Sequence, residues 1–260
     1  MKIVKLSSGI KYSQFNSKAT KTPIVVMNGW SVGIKTMKPF LKRLAASMPD
    51  HPIFCVATDS ALYDQPNKRS SKVNLFAGTM NHLGIRKAHF VAHSEASVTV
   101  AHYAVDNIDK VASIQLIGPA GLTILSSAEL KAGLLLKVRQ DGWRAVFGPV
   151  PINLYMRLLA GGIKQFTLRF RQTKREWRAE PEDHSLCQQL MQLQENDLAL
   201  NILLYKQDEL FRITEVKSEL ESLNYRGKII ELKGSHDEII YRPNATVKAV
   251  VEHILKAGKK

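Results

Sequence analysis

The sequence predicts an α/β architecture: a mostly parallel central sheet with helices on both faces and a helical insertion before the final strands. Three observations predict it. Short apolar runs alternate with segments of helical period through the first 121 residues, and the rhythm returns after residue 199. Between 122 and 198 the alternation stops, and helical stretches are punctuated by Gly142, Gly148-Pro149, Pro151, Gly161-Gly162 and Pro181. The apolar runs end in small, polar or ionisable residues, as expected where parallel strands open into a crevice.

Lys2–Leu6 and Ile10–Phe15 flank Ser7-Ser8-Gly9 and predict an opening hairpin. Pro23–Met27 is apolar enough for a buried strand and runs into Asn28-Gly29-Trp30-Ser31. A helix is expected over about 36–47, stopped by Pro49, then a strand over Pro52–Ala57. A helix over about 71–83 leads to a strand at Ala88–Ala92, a helix at 97–107 and a strand at Val111–Ile117. After the insertion come a strand at Ala199–Tyr205, a helix near 213–223, a strand at Lys228–Leu232 and a terminal helix near 244–256. Residues 1–121 and 199–260 are expected to form one core domain, with 122–198 as a helical cap or lid too apolar and regular for a linker.

Composition narrows the function classes. The 260 residues are 45% apolar, enough for a sizeable core. Cys55 and Cys187 lie far apart in unlike contexts, which argues against a disulfide framework or a Cys-rich zinc site. The charged N-terminus resembles no secretory signal and no apolar run approaches the ~20 residues of a membrane span, so a cytoplasmic protein is expected. A net charge of +14 raises anionic partners. No nucleic-acid motif accompanies it, so no specific nucleic-acid binding is expected.

Chemistry gathers at three strand ends. Phe90-Val91-Ala92-His93-Ser94-Glu95-Ala96-Ser97 carries an apolar run into a serine with alanines two positions either side. Small residues there let strand and helix backbones approach at a sharp turn, as in the G-x-S-x-G nucleophile elbow, although any buried turn of small residues matches such a pattern. A serine needs a base, and the base an orienting acid. The strand 199–205 leads to Asp208, and the strand 228–232 leads to Gly234-Ser235-His236. The chain order is Ser94, Asp208, His236, with a separation of 28 positions from acid to base.

These motifs resemble the α/β-hydrolase superfamily over nearly the whole chain: the opening hairpin, the elbow, the acid turn, the Gly-Ser-His loop and the final amphipathic helix. Asn28-Gly29-Trp30 is similar to the superfamily's His-Gly-x oxyanion loop, with Asn in place of His. The resemblance implies a Ser94–His236–Asp208 triad. It implies an oxyanion hole from the backbone N–H groups of Glu95 and Trp30, with Ser31 as the other candidate donor, in a substrate-lining loop of Asn28, Gly29, Trp30 and Ser31. Asp237 and Glu209 adjoin the base and the acid and are the alternative acids, but Asp237 follows His236 too closely to reach its imidazole easily. His82, His89 and His93 read as structural. No metal-ligand spacing and no phosphate loop occur, so neither metal nor cofactor is expected.

Residues 131–178 hold 11 Lys/Arg against Asp141 and Glu176, interleaved with Leu135, Trp143, Phe147, Met156 and other apolar residues. The simpler expectation is a cap whose apolar faces pack on the core while its Lys/Arg are solvated. The other is a basic amphipathic lid, densest over Lys164–Arg178, that opens onto an acyl chain or settles on anionic lipid. Two functions follow. One is a serine hydrolase acting on an ester or thioester with a mainly apolar acyl group. The other is a non-catalytic protein of the same fold that binds a ligand or a membrane through the basic insertion. Oligomeric state has no sequence signal.

Overall fold

The structure, a computed structural model, describes residues 2–6, 10–30, 32–57, 68–123, 125–148, 150–168 and 185–258. Eight strands form one sheet in the order β1-β2-β4-β3-β5-β6-β7-β8. β1 (Ile3–Lys5) and β2 (Lys11–Phe15) pair antiparallel, and β2 runs antiparallel to β4 (Ile53–Ala57). From β4 through β3 (Ile24–Met27), β5 (Ala88–His93), β6 (Val111–Ile117), β7 (Leu200–Tyr205) and β8 (Lys228–Leu232) every pairing is parallel.

The expected alternation holds. Helix α1 (Lys38–Ser47) links β3 to β4, α2 (Lys68–His82) links β4 to β5, and α3 (Ala96–Asp106) links β5 to β6. Among the described residues, three helices intervene between β6 and β7: α4 (Ser127–Phe147), α5 (Ile152–Leu168) and α6 (Cys187–Glu195). Helix α7 (Ile213–Ser222) joins β7 to β8, and α8 (Glu238–Tyr241) and α9 (Asn244–Ala257) complete the chain. The four-residue α8 follows the Gly-Ser-His loop and was not expected from the sequence, because a single turn has no period to read.

β3, β4 and β5 are buried along their whole length, since helices cover both faces of the sheet. Successive residues of β5 serve opposite cores. Phe90 and Ala92 face α2, α3, α6 and α7, whereas Val91 faces α1, α9 and the buried end of α5. Phe76, Phe90 and Tyr103 meet edge-on at centroid distances of 5.1–5.9 Å. Each such pair adds about 1 kcal/mol beyond its buried area, which fastens α2 and α3 against β5. Helix α6 packs on α3 and sends Leu190 and Leu193 into the same core. Among the described residues, no helix is long and apolar enough to cross a membrane.

Register brings the strand ends together. Met27 pairs with Ala92, His93 with Ile117, Ile117 with Leu203 and Tyr205 with Leu232. The segments beyond those residues therefore emerge along one edge of the sheet. Backbone bonds stitch them: Ser94 N–H donates to Ile117 O (3.0 Å), Gly118 N–H to Leu203 O (2.8 Å) and Gln207 N–H to Gly234 O (3.0 Å).

Candidate active site

Ser94 follows β5 directly, one residue before the α3 N-cap, and holds φ at +57°. A non-glycine residue in the left-handed region costs about 1–2 kcal/mol, so the surrounding packing must impose it. Ala92 and Ala96 on either side are completely buried in the core that faces α2 and α3. A larger side chain at either position would overpack the strand–helix junction. The alanines therefore fill the space that the turn leaves.

Asp208 follows β7 in a tight turn. Its Oδ1 accepts the backbone N–H groups of Leu210 and Phe211, both at 2.9 Å, and its Oδ2 lies 2.8 Å from His236 Nδ1. One carboxylate oxygen thus holds the turn and the other holds the imidazole. Burial pushes the His236 pKa down, but the charge and hydrogen bond of Asp208 outweigh it and raise it above the ordinary histidine value. Gly118, at φ +49°, lies against this pair. A Cβ there would sit 3.4 Å from Asp208 Oδ2 and from the His236 ring.

The loop after β3 closes on the serine. A Cβ at Gly29 would come within 2.7 Å of Ser94 Cβ and 2.9 Å of His93 O, so only glycine permits this approach. Half-buried Trp30 follows it. Ser31, the other oxyanion candidate, lies outside the described residues. Asn28 is buried and its Nδ2 donates to Val32 O, so its side chain shapes the loop. Glu95 is tied sideways to α2, where buried Lys72 donates to its Oε1 at 2.8 Å.

The other candidates find different partners. His93 Nε2 donates to the His236 carbonyl at 3.1 Å, joining the Ser94 turn to the His236 loop. Burial, reinforced by His236, lowers its pKa to about 4 and keeps it neutral. Glu209 Oε2 accepts His236 N–H at 3.2 Å, and burial pushes its carboxyl above the usual range. His89 Nδ1 meets Ser113 Oγ at 2.8 Å, and His82 is exposed. His93, His236 and Asp237 bring potential ligand atoms within 4.8 Å of one another. Lys137 already supplies a positive charge to Asp237, however, and His93 Nε2 is turned to a carbonyl. A metal ion there would have to compete with the Lys137 ammonium for Asp237.

Sequence reasoning missed how α4 enters this site. Lys137 pairs with Asp237 and, at 2.8 Å, with Asp141. Arg144 donates to Ser235 Oγ (2.5 Å) and Glu238 Oε2 (2.8 Å), and Tyr241 O–H donates to Asp141 Oδ2 (2.9 Å). Residues on both sides of His236 are therefore clasped by one helix. Burial pushes the Asp237 carboxyl up, but the Lys137 ammonium outweighs it and holds the pKa below the usual carboxylate value. The expectation of solvated Lys/Arg on this helix fails at Lys137 and Arg144, which turn inward to partners about 100 residues later. The available signal was the spacing Lys137, Asp141, Arg144, one stripe of a 3.6-residue period.

No family model matches the chain. Solved structures do match it closely in fold. A meta-cleavage product hydrolase from Pseudomonas fluorescens superposes with a TM-score of 0.72 at 16% identity, covering 99% of this chain and 98% of that one. An enol-lactonase from Burkholderia xenovorans gives 0.71 at 16%, covering 98% and 100%. An α/β hydrolase enzyme from a lagoon-sediment metagenome gives 0.65 at 11%, covering 98% and 99%. The chain has the α/β-hydrolase fold. Within that fold Ser94, Asp208 and His236 follow the ends of β5, β7 and β8 on one edge of the sheet.

Proposed function

We propose that this α/β-hydrolase-fold protein is a serine hydrolase that cleaves a carboxylic ester or thioester with a mainly apolar acyl group. The observation that carries the reading is a serine held at φ +57° on a strand–helix turn, together with a buried imidazole held by a carboxylate at 2.8 Å. Ser94 Oγ attacks the acyl carbonyl while His236 Nε2 takes its proton. Asp208 keeps the proton on Nδ1 and stabilises the imidazolium. The tetrahedral oxyanion is met by the Glu95 N–H and an N–H of the loop after β3, with Trp30 the nearest assignment. His236 then protonates the leaving group, and water attacks the acyl-enzyme with His236 again as base.

An apolar acyl group is favoured by the insertion. Val150, Leu154 and Leu158 join the core cluster that holds Ile117, beside Gly118, and Ile239, three residues after His236. The chemistry calls for no cofactor. A fluorophosphonate probe should label Ser94 in the folded protein, and Ser94→Ala should abolish both labelling and hydrolysis of short p-nitrophenyl esters. A folded protein that resists the probe and leaves such esters intact would establish the non-catalytic alternative. A chain-length series of esters and thioesters then defines the acyl group.

A further inference from the structure

Helix α4 is amphipathic in the reverse sense. From Lys137 onward its core-facing side carries Lys137, Asp141 and Arg144, all engaged with the base loop or with one another. Its opposite side presents Leu135, Val138, Trp143, Val146 and Phe147 to solvent, with Phe147 76% exposed and Trp143 stacked on it at 5.2 Å. Helix α5 extends the surface with Ile152, Met156 and Ile163, which share one helical stripe. Nine of the eleven large apolar side chains left exposed among the described residues lie on these two helices. Scattered exposed apolar residues need no explanation, but a contiguous face of them does.

Charge selects what covers this face. Arg139 and Arg157 are exposed on the same two helices. The two carboxylates of α4 are already used: Asp141 is buried against Lys137, and Glu129 closes the N-terminal capping box. Helix α5 has no acidic residue. A second copy docking face to face would bring arginines against arginines with no exposed carboxylate of α5 to offset them. An anionic surface offset by hydrocarbon meets both features, because the basic groups sit at headgroups while aromatic and aliphatic side chains enter the interface.

We propose that the outward face of α4 and α5 docks on an anionic phospholipid bilayer. The proposal stands apart from the hydrolytic reading, since lipid binding is read without substrate. The test is co-sedimentation of the full chain with vesicles of phosphatidylcholine alone and of phosphatidylcholine mixed with phosphatidylglycerol. Binding is expected to the mixed vesicles, weakening as salt rises. Arg139→Gln/Arg157→Gln should lower the partition roughly 25-fold, at about five-fold per cation. Trp143→Ser/Phe147→Ser should lower it at least as far, while thermal unfolding and hydrolysis of a soluble ester stay unchanged. Equal binding to both vesicle types overturns the proposal, as does binding to neither. Loss of binding only when the variant unfolds also overturns it. So does a dimer in light scattering that Trp143→Ser/Phe147→Ser dissolves, which would assign the face to a second copy.

Discussion

Lys137→Met removes the cation from a buried cluster and so tests the clasp on the base loop. Asp237 and Asp141 are 3% and 1% exposed, and both reach the Lys137 ammonium. Without it Asp141 keeps the Tyr241 hydroxyl at 2.9 Å and Arg144 at 3.6 Å, whereas Asp237 loses the cation that holds its pKa down. Stranding a buried charge in this way costs about 3–5 kcal/mol. At a urea slope of about 2–3 kcal/mol/M the unfolding midpoint should fall by about 1–2.5 M. Lys137 also pushes the His236 pKa down, and Asp237 pushes it up. In Lys137→Met the acid limb of kcat/KM should therefore move to higher pH, and adding Asp237→Asn should restore most of the stability and return the limb. Stability and pH profile are measured on the two single variants and the double. If the midpoint of Lys137→Met stays within about 0.2 M of wild type and its pH profile is unmoved, the clasp does not hold the base and the reasoning is refuted.

Asp208→Asn should cut kcat about 10⁴-fold, because the neutral amide no longer stabilises the imidazolium or selects its tautomer, and steady-state hydrolysis reads this directly. As the proposed base, His236 must be neutral in the wild type to accept the Ser94 proton. Its raised pKa predicts that activity climbs with pH through a value above the ordinary 6.5, and a limb at or below 6.5 would contradict the Asp208 pairing. Gly29→Ala should lower kcat by about 10²-fold or more with the fold retained, since its Cβ is driven against Ser94 Cβ and His93 O beside the proposed oxyanion site; circular dichroism and turnover separate the two effects. His89, His93 and His253 are buried neutral with pKa values near 4 against 6.5 for the free side chain. The unfolded chain binds more protons across that window, so stability is complete above about 6.5 and is lost as pH falls toward 4, as urea titrations at several pH values should record.

The sheet and the three strand ends were readable because their signals are local. Runs such as Ile24–Met27 and Ile53–Ala57 are apolar throughout, as strands covered on both faces must be, and each meets a turn residue at its end. Ser94, Asp208 and His236 each follow a strand-like run, so chain order already constrained the dyad that the structure joins at 2.8 Å. The orientation of α4 was not readable. Helical period reveals that Lys137, Asp141 and Arg144 share one face and Leu135, Val138 and Val146 another, but it does not say which face turns inward. That choice belongs to Asp237 and Glu238, whose charges meet the helix only in three dimensions. Asn28 shows the same limit, since its motif suggests substrate contact while its amide is spent on Val32. Residues 169–178, the most basic part of the insertion, and Ser31 lie outside the described residues.

A helix that hides charge and displays hydrocarbon has little apolar area left to uncover when it detaches. Urea acts in proportion to the surface newly exposed, and so does the heat-capacity change. Departure of α4 from the base loop is therefore a local opening with a shallow denaturant slope, set by the separation of ion pairs rather than by solvation of a core. Amide exchange along Lys137–Arg144 would stay nearly flat as urea is added, while the amides of β5 and β6 would follow the steep slope of global unfolding. The helix that clasps the residues flanking His236 would then respond to denaturant least, and to the charge of its partners most.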